Sequence, residues 1–210
     1  MKSRLMKRIL LVPLLASCTG ALADTPPTVR VDYYHTGNAE NETFSLHQVV
    51  IEPLPWPGHP EKNIDTLDLG HFLFRVEDPE SGEVLFSRGY SSIFQEWQYT
   101  GEAKKMNRTF HESVRFPKPD KPVLLRVLKR DGTQPFESIW TVDIDTDDML
   151  VVRDYAPPPA PVIDIHVSGD PAAKVDIVIL GDGYTAEDAA KFEADARRLS
   201  EYMFSIEPFI

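Results

Sequence analysis

The run Val175-Asp-Ile-Val-Ile-Leu180 is apolar except at Asp176, and most of its members are β-branched. With Gly181 closing its C-terminal end, that composition predicts a strand buried on both faces, the kind found inside a parallel sheet. Gly181-Asp-Gly-Tyr-Thr185 follows as a turn, and Thr185 with Asp188 makes a capping-box pattern, so a helix is expected from Ala186. Ala189, Phe192, Ala196, Leu199, Met203 and Ile206 recur at alternating spacings of three and four, which places them on one apolar stripe. Glu187–Lys191 and Glu193–Arg197 stand four apart on the wetter side, acid first, and Pro208 is expected to end the helix. Strand, turn and helix are the first half of a βαβ unit. No second parallel strand follows in the sequence, so residues 173–210 read as the truncated start of an α/β domain with a poorly anchored helix.

The region before it has a different rhythm. Val29–Tyr34, Phe72–Val76, Phe110–Phe116, Val123–Leu128 and Ile139–Ile144 alternate apolar with polar residues, Leu46–Ile51 does so in part, and Val84–Phe86 is a short apolar run. Ser81-Gly82 marks a turn, and Asp131-Gly132 predicts a tight hairpin. Such spacing predicts a mainly β fold for residues 24–150, an antiparallel β-sandwich of Ig-like or jelly-roll type, without choosing between the two. Pro53, Pro55, Pro57 and Pro60 have no place in a central strand and predict a long surface loop. Residues 151–172 read as a Pro-rich linker, stiff over Pro157–Pro161, with a short strand at Val162–Val167.

Residues 1–23 read as an export signal. Lys2, Arg4, Lys7 and Arg8 precede a short apolar core at Ile9–Ala16 that is too short to span a bilayer. Two endings compete. Ala21-Leu-Ala23 is a small-x-small cleavage site, and Leu15-Ala-Ser-Cys18 resembles a lipobox that would put a lipid on Cys18. The expected location is periplasmic or extracellular in the first case and membrane-anchored as a lipoprotein in the second. Cys18 is the only cysteine, so no disulfide forms within the chain. Removing the four basic residues of the signal leaves 18 Lys and Arg against 33 Asp and Glu, and takes the formal charge from −11 to −15. That surface repels nucleic acid, which is not an expected partner.

Few residues of the β region suggest chemistry. Trp56, Trp97 and Tyr99 are candidate binding aromatics, since exposed rings on a sandwich can stack on sugars or peptides, although aromatics more often bury. Asp143, Asp145 and Asp147 imitate the start of a calcium loop, but Asp148 occupies the position that needs glycine. Gly181-Asp-Gly183 lacks the third glycine of a dinucleotide fingerprint. The twelve-residue spacing of His35, His47, His59 and His71 joins unlike surroundings and reads as neither repeat nor metal site.

Val175-Asp-Ile-Val-Ile-Leu-Gly-Asp-Gly-Tyr-Thr185, followed by Glu187 and Phe192, resembles the opening of the catalytic domain of the IgA-peptidase family of zinc metallopeptidases (metallopeptidase family sixty-four). The preceding β region is similar to that family's N-terminal domain. The resemblance implies zinc for the full-length family member, held by a His-Glu-x-x-His helix, and a protein or peptide substrate. That motif has no counterpart here. The histidines are His35, His47, His59, His71, His111 and His166, and no two are four apart. No catalytic or metal-binding residue is therefore carried over, no cofactor is expected in this chain, and it should take up no stoichiometric zinc. Two functions remain: the non-catalytic N-terminal portion of an exported zinc metallopeptidase, inactive alone, or a stand-alone cell-envelope binding module for glycan or protein.

Overall fold

The computed structural model describes residues 25–153, 162–170 and 174–209. The segment expected to be an export signal, with Cys18, and the proline run of the expected linker lie outside the described residues. Among the described residues no helix is long and apolar enough to cross a membrane.

Residues 27–144 form two antiparallel sheets. The strands are β1 (Pro27–Gly37), β2 (Glu42–Pro55), β3 (Phe72–Glu77), β4 (Val84–Tyr90), β5 (Arg108–Pro117), β6 (Val123–Lys129) and β7 (Glu137–Ile144). One sheet has the order β2-β1-β5 and the other β4-β3-β6-β7. The second order is that of strands C′, C, F and G in a variable-type immunoglobulin domain. The first sheet differs from that plan by placing the first strand, not the second, at its centre.

Alternation decides what each strand buries. Val29, Val31, Tyr33 and His35 point inward from β1, Phe72, Phe74 and Val76 from β3, and Val123, Leu125 and Val127 from β6. Fully burying each large apolar side chain contributes about 1.5–3 kcal/mol, so this layer is the main source of stability. The Tyr33 and Tyr90 hydroxyls meet at 3.1 Å across the interior, and burial pushes both phenols well above their ordinary range. After β7 the chain returns to the first sheet. Val152 makes a parallel bridge with Val50, accepting from the Ile51 amide at 2.8 Å and donating to the Val49 carbonyl at 2.9 Å.

Several local expectations change. Pro53 and Pro55 belong to β2, not to a loop; β2 is an edge strand, where a missing N–H costs no ladder bond on the open side. The β6–β7 hairpin occurs, but residues 130–136 form a wider connection in which Phe136 packs under the Arg130 guanidinium at 4.5 Å. A short helix, α1 (Ile93–Gln98), carries the aromatics around Trp97, and the Ser92 hydroxyl caps it by accepting from the Gln95 amide.

The second region forms its helix and not its strands. The first turn, Ala186–Asp188, is a 3₁₀ turn, and α2 runs Ala189–Met203, shorter than the stripe suggested. The capping box is present, with the Thr185 amide and hydroxyl donating to Asp188 at 3.0 and 2.8 Å. Glu193 pairs with Arg197 as expected, whereas Lys191 pairs with Asp195 instead of Glu187. Residues 175–180 and 162–167 are irregular, not strands. Val175, Val178 and Leu180 are 89%, 79% and 85% exposed. A strand needs a neighbour for its backbone groups, and the described residues offer this segment none. Leu199 and Ile206 are also exposed, in keeping with a weakly anchored stripe. Arg197 ties the helix to the segment before it by donating to the carbonyls of Ile165 at 2.7 Å and Asp164 at 3.1 Å.

Candidate functional site

Two groups of titratable side chains sit back to back on the three-stranded sheet, one facing the core and one facing solvent. They arise from the same strands because neighbouring residues of a strand point to opposite faces.

On the inner face His35 is fully buried between two rings, Phe44 with centroids 4.1 Å away and Phe94 at 3.7 Å. Its Nε2 lies 2.8 Å from Glu42 and its Nδ1 3.2 Å from Glu112. Ionised carboxylates only accept, so bonding to both requires the imidazolium, which donates from both nitrogens. Burial alone would lower the pKa of His35, but the two carboxylates outweigh it and raise it above the ordinary 6.5. Burial likewise pushes the Glu42 carboxyl up, and bonds from His35 and Lys129 more than reverse this. Lys129 binds the second oxygen of Glu42, so two cations and two carboxylates balance inside the fold. Closed off by aromatic rings, this group has the character of a structural ion cluster.

On the outer face lie Asp32 of β1, His47 of β2 and His111 of β5, one from each strand. Their ligand atoms all fall within 4.8 Å of one another. A β-bulge makes this possible. Asp32 pairs with Gln48 and Tyr33 with Leu46, which leaves His47 as the extra residue, on the solvent side with Asp32. His47 Nδ1 and His111 Nε2 are 3.1 Å apart. Tyr34, which is His111's partner in the ladder, holds both rings, with centroids at 5.0 Å from His47 and 5.4 Å from His111. Asp32 is buried beneath its neighbours. Arg30 donates to it at 2.8 and 3.2 Å, and Gln48 at 2.7 Å. Burial raises the pKa of this carboxyl, but the bonds from Arg30 and Gln48 and the nearby charges of Arg30 and His111 leave it below the ordinary 3.8, so it is ionised at neutral pH. An anion and two imidazoles converge here, on rigid strands.

Sequence alone assigns no role to His47 or His111. One signal was present. In Leu46-His-Gln-Val49 two polar residues separate two apolar ones, which pair with the inward-facing Tyr33 and Val31, a break in alternation that marks a bulge. Nothing local pairs His47 with His111, because β1 lies between their strands.

The candidate aromatics are dispersed. Trp97 is 8% exposed, and its indole N–H donates to Glu102 at 2.7 Å. Trp56 is half-buried edge-on against Phe86, with centroids 5.4 Å apart. Tyr99, at the end of α1, presents its ring to solvent. Asp145 and Asp148 accept from the amides of Asp147 and Leu150, closing turns at the end of the sandwich.

Comparison with known families gives two matches in chain order. A family model described as Peptidase M64 N-terminus matches residues 23–141, and one described as IgA Peptidase M64 matches residues 163–210. A search of curated proteins returned no match.

Proposed function

The chain belongs to the M64 peptidase family, and from that premise we propose that it is the N-terminal accessory portion of an exported zinc metallopeptidase, without hydrolytic activity of its own. The observation that carries this is the order of the two matches, the N-terminal family model over residues 23–141 followed by the peptidase family model over residues 163–210. The sandwich supplies a rigid body beside the catalytic fold. The apolar segment 175–180 and the open stripe of α2 are the surfaces by which that fold would be completed. Substrate, a protein or peptide, is reached through the catalytic domain. Residues 1–23 direct export, with Cys18 as the lipid-bearing residue if the lipobox is used.

The residues present do not fit a hydrolytic zinc centre. Such a centre needs three protein ligands, an open position for water and a base to activate that water. No His-Glu-x-x-His stands in the sequence. Beside the Asp32–His47–His111 cluster the neighbouring acid, Glu52, is engaged by Arg30 and Arg115, each at 3.0 Å. No hydrolytic step is assigned to these residues.

The purified chain, with zinc supplied, is expected to cleave no member of a mixed peptide library when products are followed by mass spectrometry. Joined to a complete peptidase domain that carries a His-Glu-x-x-His helix, the same chain is expected to form part of a zinc-dependent, chelator-sensitive peptidase. Chelator-sensitive cleavage by this chain alone would overturn the proposal.

A further inference from the structure

We propose that Asp32, His47 and His111 form a binding site for a divalent transition-metal ion of the zinc class on the outer face of the N-terminal sandwich. This departs from the expectation, drawn from the sequence, that the chain takes up no stoichiometric zinc.

The donor set selects the class. Two imidazoles and one carboxylate suit zinc, copper or nickel, whereas magnesium and calcium prefer all-oxygen shells. The spacing agrees. Two nitrogens bound to one tetrahedral zinc at about 2.0–2.1 Å lie roughly 3.3 Å apart. His47 Nδ1 and His111 Nε2 already stand at 3.1 Å. At that distance the pair must share either a proton or a cation, since two bare lone pairs repel. The third donor, Asp32, has its ligand atom within 4.8 Å of both.

The supports of the site are those that metal ligands use. Arg30 and Gln48 fix the Asp32 carboxylate from behind, and a carboxylate has about four acceptor positions, so the three bonds leave one free. Tyr34 packs against both imidazoles and limits their rotation. Three adjacent strands carry the donors, so little ordering is required on binding. His47 and His111 are exposed, which gives an ion direct access and leaves room for water in the remaining coordination position. The Arg30 charge nearby weakens the attraction for a cation, and the Arg30–Glu52 pair offsets part of that.

The test is titration of the purified chain with zinc followed by calorimetry, and with cobalt followed by its visible ligand-field absorption. The wild type is expected to take up one ion per chain, with absorption of a nitrogen- and oxygen-ligated tetrahedral centre. His47→Ala and His111→Ala should each weaken binding by at least roughly tenfold. His166→Ala, an exposed histidine elsewhere, should leave it unchanged. Both substituted side chains of the site are exposed, and far-ultraviolet circular dichroism verifies that the variants fold. No saturable uptake by the wild type overturns the proposal. So does uptake that both His47→Ala and His111→Ala retain.

Discussion

Replacing His35 by alanine is expected to destabilise the sandwich by about 3–5 kcal/mol, because it removes the cation between two carboxylates held inside the fold. Glu42 retains Lys129, but Glu112 loses its ring partner, and its Oε1 is already buried without a hydrogen bond among the described residues. The Phe44 and Phe94 rings lose the imidazole stacked between them. Urea unfolding followed by circular dichroism measures the change. The pH dependence separates charge from packing. His35 has its folded pKa raised above 6.5, so its contribution is complete below 6.5 and is lost as pH rises through the folded value. Glu42 has its folded pKa lowered below 4.5, so its contribution is complete above 4.5 and is lost as pH falls through the folded value. Both are complete between 4.5 and 6.5, where the difference between wild type and His35→Ala should be largest. A variant that loses stability by the same amount at every pH would mean that His35 acts through packing alone.

The same substitution made at two leucines should give opposite results. Leu125 of β6 is fully buried at the centre of the inter-sheet layer, and Leu125→Ala is expected to cost about 2–5 kcal/mol through lost transfer energy and the cavity left behind. Leu180 is 85% exposed, and Leu180→Ala should change the main unfolding transition by no more than about 0.5 kcal/mol. Differential scanning calorimetry of the three proteins decides the matter. A comparable loss at Leu180 would show that the 175–180 segment is packed in solution.

Most of the sandwich was legible because alternation is a local property. Val123–Leu128 and Ile139–Ile144 declare their inward faces within a few residues, and every expected strand of the first domain appears. The failures have physical causes. Val175–Leu180 has the composition of a buried strand, but composition sets only a preference, and pairing requires a partner. Helix α1 escaped because six residues give too short a window for a helical period, although Ser92 stood ready as its cap. Pro53 and Pro55 misled because their cost depends on whether the strand lies at an edge, which is a fact about the sheet and not the segment. The His47–His111 pair was invisible for a related reason. The contact spans the ladder from β2 across β1 to β5, and an unpaired residue shifts the parity by one on the way.

That extra residue also determines where the chain can change length. Along the rest of β2, inserting or deleting one residue would exchange the two faces and turn Phe44 or Val49 out of the core. Between Glu42 and Glu52 His47 alone lies outside the paired count. Its removal would leave Leu46 opposite Tyr33 and Gln48 opposite Asp32 as they are now. Within Glu42–Glu52 the bulge is thus the position at which a lineage could lose or regain a residue without rebuilding the domain, and the residue gained or lost there is an imidazole.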